Sequence, residues 1–307
     1  MRERLYIFAY KTLLFAAKIT PRVVLDQIFT FFSLLWFWAD RKHRFITEAN
    51  IAFCFPNLTP KQIHATARAT YRNYAYFAVD FLRNASANKE QILAQMSFEN
   101  EEILQTVLAS NRPVIVQTAH YGNWELFSLA MAARFGAVSI VGRGLDSEGL
   151  NSVLTSHREQ FDIELIDKNG AAKKMLLALK NRRILGVLID QAVSKNEGVE
   201  CEFFGRKITH STALSVIAAK SGALIIPAFI YRKSRKECAI RFFEAIELKD
   251  GSSQEVFAAT QAQSLATEKM VAFKPDEYFW FHRKFKTFNP EIYDKYNFRT
   301  HDKKAGK

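Results

Sequence analysis

Cysteine is scarce in this chain, and none of it is arranged for chemistry. Cys54, Cys201 and Cys238 are scattered, with neither a CxxC pair nor Cys/His ligand spacing. That excludes a zinc-finger type of site and a disulfide framework, and reads all three as core thiols in a reducing compartment. A G-x-S-x-G elbow is also missing, which removes the serine-hydrolase class. No internal repeat or low-complexity tract occurs. The apolar N-terminus lacks an A-x-A-like cleavage site and is expected to stay on the protein. Its two apolar stretches, residues 5–19 and 23–38, each fall short of the ~20 residues that cross hydrocarbon comfortably.

Acidic side chains are also short: 31 Asp and Glu against 43 Lys and Arg leave a net charge of +12. Such an excess fits a polyanionic partner, whether nucleic acid, an anionic membrane or a phosphorylated lipid. No nucleic-acid docking motif appears, so no nucleic-acid partner is expected. What is abundant is apolar: 49% of 307 residues are hydrophobic, enough for a full core, and 27 are Phe. Many of these rings sit beside cations near the N-terminus, as at 31–38, where Phe31, Phe32, Trp36, Phe37 and Trp38 precede Arg41, Lys42 and Arg44. On a membrane, such a phrase buries its rings and leaves its cations at phosphate level. A pair of core helices or a single tilted span are the other readings of the same residues.

Thr59 and Pro60 mark a helix start, and apolar spacing carries that helix to Asn84. Its Tyr71, Tyr74, Tyr76 and Phe77 read as core. After residue 88 the pattern changes to short β-branched runs at 113–118, 138–142, 163–166, 184–190, 223–230 and 239–243. Helical segments at 125–134, 147–160, 171–181 and 211–220 lie between them. This predicts an α/β fold, a central mixed, largely parallel sheet flanked by helices, preceded by an N-terminal helical membrane-associating region. The expected division is 1–88 for that region, 89–300 for the α/β domain and 301–307 for a basic tail.

His120 follows an apolar run and Glu125 opens the next helix, so both belong at the carboxyl edge of the sheet, where α/β proteins place sites. A turn through Gly122 and Asn123 would bend them together. The carboxylate then fixes the imidazole tautomer, and the free ring nitrogen takes a proton from an alcohol. Asp190 ends the apolar run 184–189 at the same edge, with the amide of Gln191 beside it. Turn capping is its plainer role.

The segment His120-Tyr121-Gly122-Asn123-Trp124-Glu125 resembles the HxxxxD/E motif of glycerolipid acyltransferases, in the HxGNWE form of the lipid A late acyltransferases. The phrase Asn50 to Leu58, then Gly142-Arg143, Asp190-Gln191, Phe203 to Arg206 and Trp280 to Thr287 resemble further blocks of that family in the same order. The region around Asp146, Ser147 and Glu148 is less basic than the family's usual stretch. The resemblance implies acyl transfer at the cytoplasmic face of the inner membrane, from acyl carrier protein to a lipid A precursor hydroxyl, without metal or cofactor. Lysophospholipid, ornithine lipid or another glycolipid are the alternative acceptors. It implies His120 as general base oriented by Glu125. Asn123, Arg143, Arg158, Asp190, Gln191 and Arg206 are then candidate substrate contacts, with Phe203 and Phe204 as an acyl-pocket wall and Arg206 before a helix starting at Ser211.

Overall fold

A computed structural model describes residues 2–142, 151, 155 and 158–294. The chain begins with four helices: α1 (Arg2–Ile19), α2 (Arg22–Ala39), α3 (Arg41–Cys54) and α4 (Pro60–Asn84). The expected start of α4 is present as a reciprocal cap, Thr59 accepting from Gln62 N–H while the Gln62 side chain accepts from Thr59 N–H. From there Ala67, Tyr71, Ala75, Val79 and Leu82 recur at helical spacing and are buried. Leu25, Ser33 and Phe37 form the matching inner stripe of α2.

The remainder alternates helix and strand. In order it runs α5 (Lys89–Leu93), β1 (Met96–Glu99), α6 (Glu101–Ala109), β2 (Val114–Thr118), α7 (Trp124–Phe135), β3 (Val138–Gly142) and β4 (Ile163–Asp167). There follow α8 (Ala171–Lys180), β5 (Ile184–Leu188), β6 (Gly198–Phe203), β7 (Arg206–Ser211), α9 (Ala213–Ser221), β8 (Leu224–Arg232), β9 (Cys238–Phe242) and α10 (Ser253–Phe273). Seven strands form one sheet in the order β1-β9-β8-β2-β5-β3-β4. Every neighbouring pair is parallel except β8 with β9, so the expected mixed, largely parallel sheet is what forms.

All five residues of β2 are buried, as a central strand covered on both faces requires. Side chains alternate across it: Val114 and Val116 join the cluster under α6 and α7, while Ile115 joins the one under α8 and α9. A third cluster caps the carboxyl ends of the strands. It contains Phe37, Ile51 and Tyr71 from the first helices, Phe203 from β6, and Tyr278, Trp280 and Phe285 from the segment after α10.

The sequence reading missed β1 and the two-stranded β6–β7 hairpin. The hairpin turns on Phe204 and Gly205, both with positive φ, the geometry of a two-residue I′ turn, where Asn-Gly is the usual signal. It also displaces the expected helix start from Ser211 to Ala213, since Ser211 still pairs with Gly198. The helix expected over 147–160 lies largely outside the described residues, as does the 301–307 tail.

Candidate active site

β2 delivers its last residue, Thr118, to the carboxyl edge beside the end of β5, and the chain then turns sharply into α7. The far end of the polypeptide holds this turn. Phe279 N–H donates to the His120 carbonyl at 2.9 Å, and Gly122 N–H donates to the Glu277 carbonyl at 2.9 Å. Gly122 has φ +57°, and a Cβ there would lie 2.2 Å from the Ile230 carbonyl oxygen, so only glycine fits. Asn123 caps α7 by accepting from Leu126 N–H at 3.1 Å.

His120 is held by Asp190. Its Nδ1 lies 2.8 Å from Asp190 Oδ1, and its backbone N–H donates to the same oxygen at 3.0 Å. Nδ1 therefore carries the proton and Nε2 is the free base. The Asp190 side chain is wholly buried, whereas 26% of the His120 side chain is exposed. Burial works to raise the Asp190 carboxyl, but the His120 charge and hydrogen bond, with His282 and Lys284 behind, hold it far below the usual carboxylate range. For His120, burial opposes the imidazolium and Asp190 overrides it, so the pKa is raised above 6.5, with a smaller contribution from the Glu125 charge.

The expectation that Glu125 orients His120 is corrected. Glu125 lies in the first turn of α7 and is clamped by Arg158 through two hydrogen bonds, Nε at 3.0 Å and Nη2 at 2.5 Å. Its carboxylate lines the same cavity as His120 and adds to the negative charge acting on the imidazole, but the ring hydrogen bond goes to Asp190. Asp190, read from sequence as an edge residue with a turn-capping alternative, takes the orienting place.

Behind Asp190 sit groups to which the sequence reading gave no chemistry. Lys284 is buried, and its Nζ donates to the Asp190 carbonyl at 2.7 Å while standing 4.3 Å from the Phe203 ring centroid. Burial pulls its pKa down to about 8. His282 stacks on Phe279 at 6.0 Å, and burial pushes its pKa down to about 4, which keeps it neutral. Trp124 and Phe279 flank the His120 ring at 5.2 and 5.7 Å. The only sequence sign of Phe279, His282 and Lys284 was the alternation of rings and cations over 278–286.

A cavity of about 550 Å³ opens at His120 and runs beneath α7 along the sheet. Trp124, Glu125, Arg158 and Gln191 stand with His120 in its wall. Further in, the lining becomes apolar, with Phe127, Met131, Val138, Ile140 and Ile184. Val138 and Ile184 begin β3 and β5, so the cavity reaches back to the opposite edge of the sheet, about 13 Å along β5.

Two expectations about this pocket are revised. Phe203 and Phe204 do not line it; they pack in the capping cluster, Phe204 edge-on to Phe55 at 4.8 Å. Arg206 begins β7 with its guanidinium 4.6 Å from the Phe53 centroid, and the helix expected to follow it directly starts only at Ala213, beyond the far end of that strand. Arg143 lies outside the described residues. Among the described residues no group of three or more His, Cys, Asp or Glu side chains converges as a metal site would need.

Comparison with known proteins gives the geometry a context. The family described as bacterial lipid A biosynthesis acyltransferase matches residues 1–287. A Mycobacterium tuberculosis phosphatidylinositol mannoside acyltransferase is 21% identical over 216 residues, 68% of this chain and 67% of its own. The Escherichia coli lipid A biosynthesis palmitoleoyltransferase is 21% identical over 248 residues, 80% of each chain. A Haemophilus influenzae lipid A biosynthesis acyltransferase is 19% identical over 241 residues, 78% of this chain and 74% of its own.

Proposed function

The chain belongs to the bacterial lipid A biosynthesis acyltransferase family, and on that premise we propose that it moves a fatty acyl chain from acyl carrier protein to a hydroxyl of a lipid A precursor. The observation that carries this reading is a histidine with one nitrogen held by a buried carboxylate and the other free, at the open end of a long apolar cavity. His120 Nε2 takes the proton of the acceptor hydroxyl as its oxygen attacks the thioester carbonyl. The tetrahedral intermediate then collapses, the C–S bond breaks, and the thiolate leaves with the proton from the imidazolium. No acyl-enzyme is needed. Asp190 fixes the tautomer and stabilises the transient cation.

The acyl chain occupies the cavity under α7, where Met131, Val138 and Ile184 set its floor. The side chains of Arg158 and Gln191 in the wall are the donors nearest in kind to a developing oxyanion, with Glu125 holding the guanidinium in place. Lys168 at the same cavity and the net charge of +12 suit an acidic carrier protein, phosphorylated acceptors and an anionic cytoplasmic leaflet of the inner membrane. No metal or cofactor takes part in these steps.

The Mycobacterium relative favours a second acceptor, a mannosylated glycolipid. One assay decides between them: purified protein with acyl carrier thioesters, offered a tetraacylated lipid A precursor or a phosphatidylinositol mannoside, beside the His120→Ala variant. Transfer to the precursor that disappears in the variant is expected. Full transfer by His120→Ala overturns the chemistry, and transfer to the mannoside alone overturns the acceptor.

A further inference from the structure

Helix α2 is the one described helix long and apolar enough to cross a membrane, yet its neighbours argue for another placement. We infer that α2 lies in the plane of the membrane interface, sunk in the lipid by one face, and does not cross the bilayer. This rests on the membrane reading above and says how the protein meets its membrane.

The first observation is a set of ion pairs at the start of α2. Arg22 pairs with Asp80 of α4, and Asp80 also accepts from Arg232 and Arg235, each at 2.8 Å. Arg235 in turn grips Asp26 with its guanidinium fork, Nε at 2.7 Å, and lies over the Tyr76 ring at 4.6 Å. The first two turns of α2 are thus latched to α4 and to the connection between β8 and β9. At the other end, Trp36 stacks on Phe281 at 5.4 Å, and Phe37 is fully buried. A helix fastened at both ends to one folded body would have to carry that body's ion pairs into hydrocarbon in order to span it, which is prohibitive.

The second observation is the outward face. Val24, Phe31 and Trp38 follow one another at seven-residue spacing and are 41%, 58% and 61% exposed. Val23, Ile28, Phe32 and Leu35 flank them, so one whole side of the helix is apolar, with Gln27 as its polar interruption. Exposed apolar strips of this extent mark a partner. The cations around it identify lipid as that partner: Lys11 and Lys18 on the outer side of α1, and Arg41 and Lys42 beyond the end of α2, stand exposed where phosphates would lie. Tyr10 and Leu14 of α1 pack with Leu25 of α2 on Val79 and Leu82 of α4, so the two leading helices are seated on the same support.

The native cysteines are buried, which leaves them inert to labels in the folded protein. A fluorophore is therefore placed on Val24→Cys, Phe31→Cys or Trp38→Cys in the full chain. The labelled proteins are bound to phosphatidylcholine/phosphatidylglycerol vesicles containing lipids brominated at shallow or deep carbons. An in-plane helix puts all three labels at one depth. A spanning helix puts residue 31 near the bilayer centre and the two ends about 10 Å from it on opposite sides. Equal, shallow quenching at all three positions supports the inference. A peak at residue 31 overturns it in favour of a span, and no quenching overturns it in favour of a protein partner. Phe31→Ser with Phe32→Ser is expected to weaken vesicle binding at least tenfold. Neither measurement requires turnover, so this inference and the proposed reaction stand or fall separately.

Discussion

Replacing Asp190 separates charge from tautomer at the reacting histidine. In Asp190→Asn the Oδ1 position still accepts from both the backbone N–H and Nδ1 of His120, because turning the amide around would set a donor against two donors. The tautomer survives and the negative charge is lost. In Asp190→Ala both are lost. Without the carboxylate, burial is left to lower the His120 pKa, so more of the imidazole is basic at pH 7, a gain limited to about severalfold. Against that, the imidazolium formed during proton abstraction loses its counter-charge. General-base catalysis is worth ~10²–10⁴ in rate, about 3–5 kcal/mol of barrier. The loss wins. kcat/KM should fall about 10²-fold in Asp190→Asn and about 10³–10⁴-fold in Asp190→Ala, with the acid limb of the Asn variant moved to lower pH. The assay is steady-state transfer from acyl carrier thioester in mixed micelles across pH 5.5–9, with thermal unfolding followed in parallel. Wild-type activity within twofold for Asp190→Asn, or an acid limb that does not move, would refute this account of Asp190. In the wild type, the raised His120 pKa means that the pair's contribution to stability is complete below pH ~6.5 and fades as pH rises through the raised value. Activity runs the other way, increasing through that same value.

Lys284→Met removes a buried cation behind Asp190, so the His120 pKa should rise further and the acid limb should shift to higher pH, measurable by histidine NMR titration. Glu125→Ala and Arg158→Ala should each reduce transfer less than His120→Ala, and the double variant should lose little more than either alone, since each breaks the same clamp. Additive losses would dissolve that coupling. Gly122→Ala should cost several kcal/mol in stability or prevent folding, because backbone stands at 2.2 Å, and calorimetry or expression in the folded state reads it. Met131→Trp should shorten the preferred acyl chain at a stability cost of about 1–3 kcal/mol, seen by mass spectrometry of the products.

Strands β2, β5 and β8 were legible because each is a buried apolar run between turn residues, whereas β1 is only half-buried, and His120 was legible because it stands where such a run ends. The partner of His120 was not. Glu125 is five residues away along the chain and Asp190 seventy, but sequence distance says nothing about where a side chain in the first turn of α7 points. Asp190 was visible as the end of β5; what placed it on the ring was the adjacency of β5 to β2, a property of strand order. The β6–β7 hairpin left a trace in the alternation of outward Glu200 and Glu202 with inward Cys201 and Phe203. Its Phe204-Gly205 turn is not a composition that announces a hairpin. Lys284 was hidden for a different reason: a cation between aromatic residues reads as surface until the fold buries it.

The turn that carries His120 is closed by main-chain hydrogen bonds from residues 277–279. During synthesis the four leading helices emerge first and the strands that position Asp190 soon after, yet the catalytic loop has nothing to close on until almost the last of the described chain has been made. Termination after residue 274 should leave a silent polypeptide, because it removes both closing hydrogen bonds together with Tyr278, Trp280 and Phe285 from the cluster over the strand ends.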